Sequence, residues 1–153
     1  MSSNRITDLP GITHLWKLDN LYLSGQPSAN SWEAIKDLGI KKIINLRDES
    51  EMDFSGEIST IEKLGMEYIQ LPITKGGALL ADNCKKLSDI IEADGNGPHF
   101  IHCGTANRVG GWLMTYLSGY KGVDFEEAID IATENGLTNV GFIDQAREIV
   151  KKD

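Results

Sequence analysis

One cysteine, Cys103, and the arginine that follows it after four residues, Arg108, are the side chains best suited to chemistry in this chain. Cys103 comes directly after an apolar stretch with β-strand character, and Arg108 opens a stretch with helical spacing. The first amides of a helix lack an intrahelical acceptor, so together with the helix dipole they attract an anion. The same field favours a thiolate, the nucleophilic form of cysteine. A guanidinium can hold two oxygens of a phosphate. The spacing therefore predicts a nucleophile beside a phosphate site.

The short run between these two residues is expected to surround a bound anion with its backbone amides. We interpret Cys103 as the nucleophile, and we assign substrate binding to the consecutive residues Gly104, Thr105, Ala106, Asn107 and Arg108. The alternative is a structural or redox-active cysteine, because a free cysteine often behaves as a small buried hydrophobe.

Three stretches resemble one known family. The run His-Cys-Gly-Thr-Ala-Asn-Arg-Val-Gly at 102–110 resembles the active-site loop of the beta-lactamase hydrolase-like, protein-phosphatase-like family. That family is a bacterial branch of the cysteine-dependent dual-specificity and tyrosine phosphatases. Residues 23–28 resemble its N-terminal strand and turn, and residues 43–47 resemble its second strand, in the same order and spacing. The resemblance implies a phosphatase that hydrolyses a phosphate monoester through a phosphocysteine intermediate and needs no cofactor.

The loop departs from the usual pattern in ways that leave other functions open. A typical cysteine phosphatase has five residues between Cys and Arg, whereas four residues here match the spacing of rhodanese-type sulfurtransferases, in which Cys103 would carry a persulfide. Ala106 stands where the family has glycine, and a positive φ there would strain alanine. Val109 replaces a hydroxyl residue that stabilises the leaving thiolate, a role that Thr105 could take over. A noncatalytic phosphate-binding regulatory module is the second alternative.

A general acid would speed departure of the leaving oxygen, and the resemblance places such a group in the loop after Pro72. The one carboxylate in that stretch is Asp82, which we predict as the acid, although a helix cap explains it equally well. A second acidic group follows the second predicted strand and consists of Asp48, Glu49 and Glu51. These residues are alternative acids or a solvated acidic loop.

Composition limits the class of protein. The chain has 153 residues, of which 41% are hydrophobic and 25% charged, so we expect a single domain over 1–153. A net charge of −8 argues against nucleic-acid binding.

The expected partners are a phosphorylated protein or a small phosphate ester, and phosphate- or sulfate-type anions should bind. We expect no metal, because no Cys/His grouping has ligand spacing. Without an apolar run, membrane insertion is not expected, and the predicted location is the cytoplasm, or the periplasm after removal of a signal peptide.

The alternation of short apolar stretches with amphipathic ones predicts an α/β fold. We expect three layers, a mainly parallel central sheet with helices on both faces. A polar opening precedes strands at 20–23, 42–46, 67–71 and 99–101, and 72–80 is expected to be a loop. Helices are predicted after Ser28 or Ser31, at 52–64, after a cap at Asp82-Asn83, and near 108–117, 125–135 and 139–151. Cys103 then lies at the carboxyl end of a strand, where such sheets bind ligands.

Four further features have open roles. His102 precedes the nucleophile and should hold the loop indirectly, because neighbours on a strand point to opposite faces. Arg47 either lines the pocket or pairs with an acidic loop. Cys84 is interpreted as a buried helix cysteine, with a resolving role as the alternative. Paired glycines provide a possible hinge at Gly76-Gly77 and close helix–sheet packing at Gly110-Gly111.

Overall fold

The computed structural model describes residues 3–95 and 97–152, which form eight strands and six helices. The strands are β1 (Ser3–Arg5), β2 (Leu15–Leu18), β3 (Leu21–Ser24), β4 (Lys42–Asn45), β5 (Glu67–Gln70), β6 (Thr74–Lys75), β7 (Ala78–Leu79) and β8 (His99–His102). The helices are α1 (Trp32–Asp37), α2 (Ser55–Lys63), α3 (Ala81–Ala93), α4 (Asn107–Tyr120), α5 (Phe125–Glu134) and α6 (Gly141–Lys152).

Six strands form one sheet in the order β1-β2-β3-β8-β4-β5. The pairs β3–β8, β8–β4 and β4–β5 are parallel, while β1–β2 and β2–β3 are antiparallel. β8 therefore lies at the centre of the parallel part, with β3 and β4 as its neighbours. This arrangement puts the residues that follow β3, β4 and β8 at one edge of the sheet.

Alternate residues of the central strands enter two separate cores. Tyr22 and Phe100 pack with α1 and α2, whereas Leu23 and Ile101 pack with α3, α4, α5 and α6. This period of two is the geometry of a pleated strand buried on both faces. Helices therefore cover both sides of the sheet, and the expected three-layer α/β architecture is confirmed.

Several predicted boundaries need correction. The polar opening contains β1 and β2, whose three and four residues are too short to show a clear period. The segment expected to be a loop at 72–80 includes the β6–β7 hairpin, with Gly76-Gly77 at its turn and positive φ at both glycines. The predicted cap at Asp82 is wrong, because α3 begins at Ala81 with Leu80 in the N-cap position. Asp82 lies inside the first turn.

The paired glycines of α4 contact the α5–α6 connection, the β6–β7 hairpin and α6 rather than the six-stranded sheet. A Cβ on Gly110 would lie 2.9 Å from Cβ of Leu137, in the connection between α5 and α6. A Cβ on Gly111 would lie 3.1 Å from Leu79 and 3.3 Å from Phe142. The next residue, Trp112, is fully buried and packs in the core. The glycines let the hairpin and α6 pack closely against the helix that carries Arg108.

Substitution of Gly110 by alanine should destabilise the fold. Overpacking costs about 1–3 kcal/mol, which exceeds the gain of roughly 0.5–1 kcal/mol from replacing a helical glycine. Gly56 in α2 provides the matched control, because a Cβ there meets nothing within 4 Å. We expect Gly56→Ala to be neutral or stabilising and Gly110→Ala to have an unfolding free energy about 1–2 kcal/mol below that of Gly56→Ala. Urea unfolding measures both, and equal values would contradict close packing at Gly110.

Candidate active site

The cysteine loop begins where β8 ends and is held by the segment that follows β3. Cys103 is only 1% exposed, and its amide donates to the carbonyl oxygen of Ser24 at 3.1 Å. The carbonyl of Gly104 accepts a hydrogen bond from the amide of Gln26 at 3.0 Å. A Cβ on Gly25 would lie 2.9 Å from that same carbonyl oxygen, so this close approach requires glycine. β3 and the residues that follow it thus fix the position of the loop.

The loop turns into α4 through a left-handed residue. Ala106 occupies the N-cap position with φ +74° and ψ −1°. An alanine in this conformation costs about 1–2 kcal/mol, so the strain expected from the sequence is present. Within the described ranges, the amides of Gly104, Thr105, Asn107 and Arg108 donate to no backbone carbonyl. These unpaired donors lie at the start of a 14-residue helix and form a site for a tetrahedral anion.

The guanidinium of Arg108 is bound by a carboxylate in this structure. Its two terminal nitrogens lie 2.6 and 2.7 Å from the two carboxylate oxygens of Glu51. The guanidinium also stays near the loop, since Nη2 lies 3.6 Å from the Cβ position of Gly104. Its hydrogen bonds to Glu51 raise the pKa of Arg108, and attraction to Cys103 adds to the effect. Glu51 therefore takes the bidentate position that a phosphate would use.

Glu51 is itself held by the loop after β4. Its carboxylate accepts hydrogen bonds from Nε of Arg47 at 3.0 Å and from the amide of Asp48 at 2.7 Å. Of the two roles considered for Arg47, the structure supports the ion pair with an acidic loop. The sequence suggested Glu51 as an alternative acid, but the Arg108 hydrogen bond lowers the pKa of Glu51 to about 2. A carboxyl with this pKa holds no proton to donate near neutral pH.

A buried pair lies behind the nucleophile. Nε2 of His102 is 2.9 Å from Oε2 of Glu57, and both side chains are almost completely shielded from solvent. Gln26 donates to the other oxygen of Glu57 at 2.7 Å and accepts from Arg47 at 3.0 Å. His102 thus faces the α1–α2 side of the sheet while Cys103 faces the other core, as the strand period predicts. The histidine holds the loop indirectly, through side chains far apart in sequence.

The side chains of Thr105 and Asn107 point away from the anion site. Asn107 accepts hydrogen bonds from the amides of Thr138 and Asn139, both at 2.7 Å, and donates to the hydroxyl of Thr105 at 3.2 Å. Substrate contact by Asn107 is therefore restricted to its backbone amide. The Thr105 hydroxyl meets Asn107 on the outer side of the loop, and Val109 is fully buried in the core.

The structure places the other predicted site residues in α3. Asp82 is exposed, in the first turn after the β6–β7 hairpin, and the hairpin contacts α4 through Leu79 and Gly111. In the part of the chain that the structure describes, Arg108 pairs with Glu51 and not with Asp82. Cys84 is buried, and burial raises the pKa of its thiol to about 12. Burial of a protonated thiol supports the structural interpretation of Cys84.

The described residues hold neither a candidate metal cluster nor a membrane-spanning helix. Among residues 3–95 and 97–152, no three side chains of the His, Cys, Asp or Glu type come together in a group that could hold a metal ion. The helices of those ranges include none that is both long and apolar enough to cross a membrane.

Replacing Glu51 with glutamine tests the ion pair through pH. The Arg108 hydrogen bond keeps the pKa of Glu51 at about 2, below its ordinary value of 4.5. A lowered carboxyl pKa stabilises the fold above the unfolded-state pKa, and this contribution is lost as pH falls toward the folded-state pKa. From about pH 6 to about pH 3, the wild type should lose about 1 kcal/mol more unfolding free energy than Glu51→Gln, after allowance for solvent screening. Urea unfolding across this range measures the difference, and parallel pH curves would exclude the pair.

Comparison with known proteins gives structural matches without a sequence match. No protein-family model and no curated protein matches the chain. A DUF442 protein of Shewanella putrefaciens CN-32, provisionally named a phosphatase, aligns with a TM-score of 0.75 and 18% identity over 94% of this chain and 95% of that one. TpbA of P. aeruginosa aligns with a TM-score of 0.72 and 20% identity over 97% and 89% of the two chains. PTPMT1 gives a TM-score of 0.68 and 21% identity over 86% and 90%. The chain therefore has the fold of the cysteine-based tyrosine phosphatases.

Proposed function

We propose that this protein is a cysteine-dependent phosphatase that hydrolyses a phosphate monoester. The observation that carries the proposal is the cysteine loop itself. Cys103 directly precedes the unpaired amides at the start of α4, and Nη2 of Arg108 lies 3.6 Å from the Cβ position of Gly104 in the same loop. Nucleophile, anion site and bidentate cation are thus combined within a single turn of chain. The shared fold supports this interpretation, because the proteins that share it include phosphatases.

Binding begins with an exchange of anions. A phosphate that enters the loop accepts hydrogen bonds from the unpaired amides of Gly104, Thr105, Asn107 and Arg108. The guanidinium of Arg108 turns from Glu51 to two of the phosphate oxygens. Cys103 is only 1% exposed, so little water reaches the nucleophile. Low exposure to water strengthens the attraction between a bound phosphate and its donors.

Chemistry then proceeds in two displacements at phosphorus. The thiolate of Cys103 attacks in line, a sulfur–phosphorus bond forms, and the bond to the leaving oxygen breaks with its electron pair on that oxygen. Water next attacks phosphorus, the sulfur–phosphorus bond breaks, and inorganic phosphate leaves while the thiolate is restored. The amides and Arg108 stabilise the equatorial oxygens in both steps. With Val109 buried and without a hydroxyl, the second step proceeds without the hydrogen bond that such a group would give the departing thiolate.

We assign the proton for the leaving oxygen to Asp82. The residue is exposed, and its helix follows a hairpin that packs on α4 one turn after Arg108. Two of the competing acids are less suited, because Glu51 is held ionised by Arg108 and hydrogen bonds from Ser50 lower the pKa of Asp48. Glu49 is the remaining alternative to Asp82 in that acidic loop.

The proposed substrate class is supported by complexes of proteins with related folds. TpbA has been solved in complex with pTyr, and PTPMT1 in complex with PI(5)P. We propose a phosphorylated protein or a small phosphate ester for this chain as well. A sulfurtransferase remains the alternative on the grounds of the four-residue spacing, and thiosulfate with cyanide is the assay that separates the two activities.

Replacement of the nucleophile Cys103 or of the phosphate-binding Arg108 should remove phosphatase activity. We expect Cys103→Ser to abolish turnover of p-nitrophenyl phosphate, because a serine hydroxyl is not ionised at neutral pH. Arg108→Lys should lower kcat/KM by about a hundredfold or more, since a point charge cannot replace the bidentate fork. Lys121→Gln, which changes a cation at the other end of α4, provides the control and should retain activity. Turnover of thiosulfate and cyanide, with no turnover of any phosphate ester, would instead establish the sulfurtransferase.

Substitution of Asp82 tests the general acid. If Asp82 protonates the leaving oxygen, Asp82→Asn should slow hydrolysis of alkyl phosphates by about two to four orders of magnitude. Hydrolysis of p-nitrophenyl phosphate should change much less, because nitrophenolate leaves without a proton. Asp89→Asn, at an exposed position further along α3, is the matched control. Steady-state rates on both kinds of ester give the comparison, and equal rates for Asp82→Asn and wild type on both would exclude this role.

A further inference from the structure

An open groove lies directly beside the cysteine loop and has no role in the reaction described above. Its volume is about 420 Å³, and its lining includes Arg5, His14, Trp16, Thr105, Asn107 and Thr138. Thr105 and Asn107 belong to the loop itself, so the groove and the anion site share one wall. His14 lies at the same place, because a Cβ on Gly25 would be 3.1 Å from Cβ of His14 and 3.5 Å from Cα of Thr105.

The charge of this groove differs from that of the protein around it. Four other surface cavities each include at least one carboxylate in their lining, namely Glu92, Asp94, Glu57 and Glu33. The groove residues described here include Arg5 and His14 and no carboxylate. In a chain of net charge −8, a cationic cavity that adjoins a phosphate site favours an anion locally against the overall field.

The side chains of the groove also include N–H and O–H groups that remain available to a ligand. Arg5 uses Nη2 on the carbonyl of Thr13 at 2.8 Å and stacks over Trp16, which fixes its plane and leaves other N–H groups available. Nδ1 of His14 lies 2.8 Å from the hydroxyl of Thr13. When Nδ1 accepts from that hydroxyl, Nε2 carries the ring hydrogen and can donate to a ligand. The Thr105 hydroxyl accepts from Asn107, and its own hydrogen is therefore free to donate.

We propose that this groove binds a second phosphate on the leaving group of the substrate. The inference rests on the proposed phosphatase function and narrows its substrate class to phosphate esters that carry another phosphoryl group. A phosphate dianion suits the groove better than a carboxylate does, because its tetrahedral oxygens can meet the Arg5 fork, the imidazole and a hydroxyl at once. Arg5 and His14 are thus specificity-determining residues, while Cys103 and Arg108 act on the scissile phosphate.

The test compares substrates that differ only in the second anion. For wild type, kcat/KM is measured on phenyl phosphate, on the three isomers of phenylene bisphosphate, and on the carboxyphenyl phosphates. We expect at least one bisphosphate to be preferred over phenyl phosphate, beyond the statistical factor of about two for its two ends. Arg5→Gln should lower that preference roughly tenfold, as expected for loss of a charge-assisted hydrogen bond. His14→Asn should lower it as well, and a preference for carboxyphenyl phosphates alone would overturn the choice of phosphate.

Lys17→Gln is the matched control for charge. Lys17 neighbours Trp16 on β2 but faces the other side of the strand, over the ring of Tyr22. Its substitution removes one positive charge and should leave the bisphosphate preference unchanged. If Lys17→Gln and Arg5→Gln lower the preference equally, the effect is one of net charge and the groove is not a site. An unchanged preference in both Arg5→Gln and His14→Asn also overturns the proposal.

Calorimetry separates failure of the groove from failure of the proposed function. Titration of Cys103→Ser with phenylene bisphosphate and with phenyl phosphate needs no turnover. We expect the bisphosphate to bind more tightly, and the additional substitution Arg5→Gln should remove that advantage. If wild type hydrolyses none of these esters while the binding difference is present, the phosphatase proposal fails and the anion subsite stands. If the esters are hydrolysed but bind equally, the subsite fails alone.

Discussion

The turn from β8 into α4 is the constraint on which the rest of the site depends. The amides at this turn can bind an anion only if they donate to no other acceptor. A loop whose amides are unpaired has few hydrogen bonds of its own to stabilise its conformation. The structure supplies the support from outside. Ser24 and Gln26 bond the loop backbone at Cys103 and Gly104, and the left-handed Ala106 accepts conformational strain so that the chain can enter the helix. Anion binding thus depends on a neighbouring strand that contributes no chemistry.

The support extends through polar side chains that cross the whole sheet edge. Gln26 is the junction, because its side chain bonds both Glu57, the partner of His102, and Arg47, the partner of Glu51. These residues follow or end the parallel strands β3, β4 and β8, or begin the helix after β4. A polar group is costly to bury alone and much less costly to bury when it is bonded. Nδ1 of His102 is the atom of this network that is buried without a partner among the described residues. The bonded groups connect the ends of three strands through specific pairs of atoms, which sets the positions of those ends relative to one another.

Local features of this protein could be predicted from the sequence, and partnerships could not. The strands 42–45 and 67–70 and the position of Cys103 after β8 were recoverable because buried strands leave short apolar runs between turn residues. The sequence also predicted that Ala106 would be strained if its φ were positive, and its φ is +74°. In contrast, Arg108 contacts Glu51 across 57 positions of the sequence, and His102 contacts Glu57 across 45. Hydrophobic periodicity describes residues within one element and cannot predict contacts between residues so far apart in sequence. The groove of Arg5 and His14 was missed because β1 and β2 are too short to leave a pattern.

The pairing of Glu51 with Arg108 lowers the net binding free energy that any anion gains at this site. In the free protein the fork is satisfied by a carboxylate, so a ligand gains the difference between its own bonds and those it displaces rather than the full value of an arginine–anion pair. A monoanion offers little improvement over Glu51. A phosphate dianion that also occupies the loop amides offers more, because those donors are unpaired before it arrives. Every anion that takes Arg108 must displace Glu51, so this cost lowers the affinity for all of them equally and leaves their differences unchanged. Selectivity for phosphate therefore comes from the loop amides, which a tetrahedral dianion fills and a smaller anion leaves unpaired.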